Sequence, residues 1–132
     1  MILRKTFLAL LAQFALLAGA ASAATDADLD VDADLMRSVE DTTKGLDSDV
    51  ALKDAKDAAS LARELVQTFA RIEAHYARTP DTADAVGFAR RTRELAAQSL
   101  KAIESQDFDA AANLVNDLTH SCKTCHNVYK KD

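Results

Sequence analysis

From residue 24 to residue 132 the chain has one proline, Pro80, and two glycines, Gly45 and Gly87, while apolar side chains recur at steps of three and four. This feature constrains the fold most. Proline and glycine are the residues that helix interiors tolerate least, and a three-and-four spacing gathers apolar groups on one helical face. No stretch alternates apolar and polar residues for long, so strands are not expected. Four helices are read. The first runs from about Asp32 to Val50, with Met36, Val39, Thr43, Leu46 and Val50 as its inner stripe; Gly45 weakens it by about 1 kcal/mol. The second runs from about Lys53 to His75 with Ala58, Leu61, Leu65, Phe69, Ile72 and Tyr76, and Pro80 closes the segment. The third runs from Thr82 or Asp84 to Ser105. Its Val86, Ala89, Ala96, Leu100 and Ile103 face inward; Arg90, Arg91 and Glu94 face mostly outward. The fourth runs from about Asp107, a plausible N-cap, to Lys130, with Phe108, Ala111, Val115, Leu118, Cys122, Cys125 and Tyr129 as its stripe. Short connections between four such helices predict an all-α, up-down-up-down antiparallel bundle. There is no internal repeat and no low-complexity segment. Tryptophan is absent, so a core built from Ala, Leu and Val is thin, and an embedded prosthetic group would help to fill it.

The first 23 residues, MILRKTFLALLAQFALLAGAASA, read as a secretory signal peptide. Arg4 and Lys5 supply a positive start, Phe7 to Ala18 the apolar stretch, and Ala21-Ser22-Ala23 a small-residue cleavage site. A membrane anchor is the competing reading. The distal part is Ala and Gly rather than Leu or Ile, and acidic residues follow where a basic stop-transfer cluster would stand. Cleavage after Ala23 leaves residues 24–132 as one small exported domain without a membrane span. The run from Thr25 to Asp34 reads as a frayed lead-in to the first helix. Losing Arg4 and Lys5 takes the basic count from 16 to 14 against 21 acids, a net charge of −7. That balance disfavours nucleic acid, which wants a basic surface, and points weakly to basic or neutral docking partners.

Both cysteines of the chain stand in one motif, Cys122-Lys123-Thr124-Cys125-His126. Three chemistries use such a pair. Structural zinc wants four ligands; beyond Cys122, Cys125 and His126 only His120 and His75 are candidates, and no second paired motif exists. Thiol exchange wants its CxxC at a helix N-terminus, where the dipole lowers the first thiol's pKa, whereas this one lies near a helix end. A bare disulfide would close a tiny loop and stabilise little. Covalent attachment of haem c fits best. CxxCH is its signature: the two thiols form thioethers on one edge of the ring, and His126 reaches the iron. Export agrees with this, and no cysteine is left over.

A CxxCH at the C-terminal end of an all-helical chain of this size resembles the class II cytochromes c, the family of cytochrome c′ and its low-spin relatives. The resemblance covers about Asp32 to Lys131, and CKTCHNVYKK is similar to the family ending CxxCHxxYR/K. It implies a four-helix bundle with the haem near the C-terminal end of the last helix. It implies Cys122 and Cys125 as the thioether positions, His126 as the proximal ligand and Lys130 as a basic residue near the proximal haem face. Met36 matches the first-helix position facing the iron from the distal side. In high-spin members that position is apolar and blocks the sixth site; in low-spin members it is a methionine that coordinates. One departure is Asp32, where family members often carry an arginine, so no propionate contact is carried over there. Bundle topology agrees on Met36, because the start of helix one and the end of helix four share one end. It is also the only methionine after Met1. The competing reading is a gap-filling core methionine.

His75 and His120 read as surface histidines, with His75 the rival for the sixth ligand. Arg90, Arg91 and Arg93 are a cluster able to meet a haem propionate, though a solvated helix face is the default for such a run. The expected function is one-electron transfer in the periplasm between periplasmic or membrane-bound redox proteins, without enzyme activity. The alternative is a gas-binding protein of the cytochrome c′ type, for NO or CO, with a vacant sixth site. A peroxidase is a weak third, since helix one near Met36 offers no acid–base histidine. The family's dimers pair through the first two helices; an outer face of helix one rich in Asp and Lys leaves monomer and homodimer both open.

Overall fold

A computed structural model describes residues 30–129. The expected signal peptide with its expected cleavage site, and Lys130, lie outside the described residues. Within them the chain forms α1 (Ala33–Leu52), α2 (Ala55–Arg78), α3 (Ala83–Glu104) and α4 (Phe108–Tyr129). Each helix packs on the next and α4 returns to α1, the closed order of an up-down bundle. The expected boundaries hold to within three residues. Among the described residues no helix is long and apolar enough to cross a membrane.

Aspartates start three of the helices. Asp32 accepts the Leu35 N–H at 2.8 Å, Asp54 the Asp57 N–H at 3.1 Å and Asp107 the Ala110 N–H at 3.0 Å. Each satisfies a donor that a helix start leaves without a partner. α3 starts differently: Thr82 makes no such cap but donates its hydroxyl to the carbonyls of Tyr76 and Thr79 at the end of α2. The tight links rest on left-handed residues that are not glycine: Lys53, Asp81 and Gln106 have φ of 59°, 59° and 58°. After α1 and α3 the chain reverses with a six-to-one bond, Asp54 N–H to Asp49 and Asp107 N–H to Ala102, both at 2.9 Å.

The centres of the inner stripes hold, but Met36, Leu61, Tyr76, Phe108, Cys122, Cys125 and Tyr129 are only half-buried, and the buried face of α3 is wider than expected. Val39, Thr43, Leu46 and Val50 of α1 are buried, as are Ala58, Leu65, Phe69 and Ile72 of α2 and Ala111, Val115 and Leu118 of α4. In α3, Ala89, Ala96 and Ile103 are buried as expected, while Val86 and Leu100 are half-buried and Ala85, Thr92, Leu95 and Ser99 join the interior. The reason is that α3 packs against both α2 and α4, so its apolar arc must be broad. The buried hydroxyls of Thr43, Thr92 and Ser99 donate to the carbonyls one turn back, at 2.8, 2.9 and 2.8 Å. Gly45 lies close to α2. A Cβ there would meet Leu61 Cδ1 at 3.0 Å, the far end of a half-buried side chain that would have to give way slightly.

The two ends of the bundle are not alike. At the end holding the α1–α2 and α3–α4 turns, Val50, Ala58, Ile103 and Ala111 are at most 2% exposed. At the other end complete burial stops at Val39, Ile72 and Leu118. The stripe residues beyond them, Met36, Tyr76 and Cys122, are only half-buried though packed against the core; Ala85 is the exception. Complete burial thus reaches nearer to the helix ends at the turn end, where Phe108 is still half-buried and Leu52 exposed, than at the other, the more open end.

Candidate functional site

The open end is where the sequence places the motif. Cys122 continues the α4 stripe one turn past Leu118, and Cys125 follows at i+3, so both thiols sit on neighbouring parts of one helical face. Cys122 packs against the core, and both cysteines are half-buried and free. His126, next in the chain, is exposed. α4 is held in place just before the motif, where the hydroxyls of Ser121 and Thr92 hydrogen-bond at 2.8 Å. Thr124, inside the motif, donates to the His120 carbonyl.

α2 supplies the facing wall. Tyr76 lies beside Cys125 and Tyr129: the tyrosine rings are 6.1 Å apart and tilted by 35°, and the His75 ring meets Tyr76 edge-on at 5.3 Å. Burial raises the Tyr76 hydroxyl pKa, and the neighbouring Cys125 and Tyr129 add to it. Burial likewise pushes the Cys122 thiol up to about 11, with Cys125 adding to the rise, and raises the Cys125 thiol. The motif also sits in the last two turns of α4, where the negative end of the helix dipole disfavours a thiolate. These thiols are therefore held protonated, opposite to the needs of a dithiol catalyst.

α1 completes the end. Met36 is in its first turn, half-buried and packed against the core. Of the four neighbouring helix pairs, α1 and α4 meet least extensively. Asp32, which stands where the resembling family often has an arginine, is the N-cap of α1 with its carboxylate on the Leu35 N–H.

The remaining expectations divide. His120 is exposed on the outer α3–α4 face, in a shallow depression of about 330 Å³ lined by Phe88, Arg91, Asp117, Ser121 and Thr124. His75 is half-buried through its contact with Tyr76 rather than simply on the surface. Arg90 and Arg93 of the arginine cluster are engaged elsewhere. Both reach Glu73 of α2, Arg90 Nε at 2.9 Å from Oε1 and an Arg93 terminal nitrogen 3.2 Å from Oε2. The latter is an ion pair without hydrogen-bond geometry, which leaves the buried Oε2 short of a hydrogen bond. Sequence reasoning missed the Glu73 clamp and the Thr92–Ser121 bond. Neither has a local signal, because each joins residues 17 or more apart.

The donor set and its surroundings fit a covalently held haem. Two reduced, half-buried thiols stand at i and i+3, Cys122 packed against the core, with an exposed histidine after them, and a methionine in the first turn of α1 packs against the same core. Among the described residues no cluster of three or more His, Cys, Asp or Glu could hold a metal ion, so a protein-only zinc site is not assembled. In comparisons with known proteins, no family model, no curated protein and no solved structure matches the chain.

Proposed function

We propose that this chain is an exported c-type haem protein of the class II cytochrome c kind, and that it carries single electrons between redox partners rather than catalysing a reaction. The observation that carries the proposal is the position of CxxCH. It uses both cysteines, and Cys122 packs against the core at the end of the bundle where complete burial stops farther from the helix ends.

Haem, when bound, supplies reversible one-electron chemistry at its iron. The chain's residues hold and tune it. Cys122 and Cys125 would be the thioether anchors, and both are free and half-buried in the haem-free chain. His126 of α4 would hold the haem iron, and Met36 of α1 would be its second protein ligand. A thioether stabilises the softer ferrous state, so Met36 would raise the potential. Val39, Ile72 and Leu118 close the site off from the rest of the core and exclude water on that side. Lys130 is a contact for the haem edge, by the resemblance alone.

A second reading is a gas-binding protein with a vacant sixth site. Its support is that Met36 already packs against the core cluster, a contact that coordination would have to exchange for a bond to iron. The absorption spectra of the ferric and ferrous protein separate the two. Electron transfer with Met36 bound gives a low-spin ferric form with a weak sulfur-to-iron band in the far red. A high-spin ferric form at neutral pH removes Met36 as ligand and puts gas binding first.

A further inference from the structure

The side chains that give up electrons most readily are gathered at one end of this bundle. Tryptophan is absent, Tyr76 and Tyr129 are the two tyrosines, both cysteines lie in the motif, and Met36 is the one methionine after Met1. Met36 stands in the first turn of α1, Tyr76 near the end of α2, and Cys122, Cys125 and Tyr129 in the last turns of α4. In an up-down bundle those three segments share the motif end. The sulfur groups oxidise one by one. The tyrosines differ, because they meet each other. α2 and α4 are diagonal rather than adjacent in the bundle, and at the motif end the two rings bridge that diagonal. Their centroids are 6.1 Å apart, inside the range of about 4.5–7 Å for aromatic contact. Their tilt of 35° is neither parallel nor edge-on, so neither of the arrangements that rings prefer locks the pair. Both rings are half-buried. An oxidant can draw an electron from them, while the fold keeps them together.

We infer that Tyr76 and Tyr129 form an oxidative cross-linking site, at which a small one-electron oxidant joins α2 to α4 through a dityrosine bond. The inference goes beyond the haem reading and does not need it. Each ring gives one electron to the oxidant and its phenolic proton to solvent. The two phenoxyl radicals pair their odd electrons in one carbon–carbon bond between the positions next to oxygen. The hydrogens on those carbons leave as protons and each oxygen takes one up, so both phenols are restored. The net change is two electrons to the oxidant and two protons to solvent. The fold supplies what the unfolded chain lacks, because two radicals held side by side combine before either meets another molecule. The product ties the more open end of the bundle across its diagonal.

The test uses the full chain as purified, with any free thiols alkylated, and photoexcited ruthenium tris-bipyridyl with persulfate as the oxidant. The expected product is a monomer lighter by two hydrogen atoms, with dityrosine fluorescence and a peptide map that joins the Tyr76 and Tyr129 peptides. Its yield should not depend on protein concentration. It should fall by about tenfold or more in guanidinium chloride, where a long loop separates the rings. Tyr76→Phe and Tyr129→Phe keep the ring and lose the phenol, so each should abolish the cross-linked monomer and leave the helical content unchanged. The cross-linked monomer should melt at a higher temperature than the unaltered chain, because the bond closes a long loop in the unfolded state. Covalent dimers as the main product overturn the inference, as does an equal yield of cross-linked monomer in guanidinium chloride, since the fold would then not hold the rings together. A cross-linked monomer that melts lower overturns it as well, because coupling would have forced the rings from their places.

Discussion

At the scale of single residues, the proposed haem site rests on Cys122, Cys125, His126 and Met36. Acid–acetone should fail to extract the haem from the unaltered protein made in a host that matures c-type cytochromes. Cys122→Ala with Cys125→Ala should leave at most a weakly held, extractable haem; a colourless unaltered protein of bare peptide mass overturns the assignment. Met36→Leu should make the ferric spectrum high spin, lower the potential and admit carbon monoxide readily. If that variant stays low spin while His75→Ala does not, the sixth ligand is His75. The thiols also make a pH prediction for the chain before haem attachment. Burial raises the Cys122 pKa from 9.0 to about 11, so the folded state favours the protonated thiol. Its contribution is complete below pH 9.0 and lost as pH rises through about 11, on the order of 2 kcal/mol in all. Thermal melts of the haem-free chain should fall across that window, and Cys122→Ala should flatten the fall. In the haem-loaded protein, where a thioether replaces the thiol, the Cys122 contribution to the fall should be absent.

At the scale of the helix, the turns set the register on which the site depends. Gln106 pays for a left-handed conformation without being glycine, a cost of about 1 kcal/mol or more. Gln106→Gly should therefore raise the melting temperature by several degrees, whereas Asp81→Gly should gain less, because aspartate tolerates that conformation better. Asp107→Ala should lower stability by about 1 kcal/mol through loss of the α4 cap. None of these substitutions touches the motif, so spectrum and potential should stay as they were. A change in either would mean that the far turn of α4 controls the presentation of Cys122.

At the scale of the whole molecule, the difference in burial between the turn end and the more open end sets the expected dynamics. Hydrogen exchange in the haem-free chain should be slowest around Val50, Ile103 and Ala111 and fastest around Met36, Tyr76 and Cys122, following the gradient in burial. Haem attachment should slow exchange at the open end chiefly and raise the melting temperature, because the attached group buries its apolar surface against the core only in the folded state. Equal protection at both ends of the haem-free chain would show that the motif end closes without a prosthetic group. The haem would then not be the missing part of the core.

The helices, their inward stripes and the motif were legible in the residues, because propensity, periodicity and spacing act within one turn or one motif. Asp107 as a cap and Val39, Leu65 and Val115 as core residues follow from that local code. Other features came only from packing. The breadth of the buried face of α3, the closeness of Gly45 to Leu61, the Glu73 clamp on Arg90 and Arg93 and the Tyr76–Tyr129 wall all depend on which helix lies opposite. Asp32 shows the division within one residue. Its identity departs from the resembling family, and only the fold gave it a role, as the cap of α1. The sequence by itself determined a four-helix chain with a CxxCH at its end, since local interactions suffice for both. Tertiary structure decided that Cys122 packs against the core at the end where complete burial stops farther from the helix ends, because the extent of a core depends on all four helices at once.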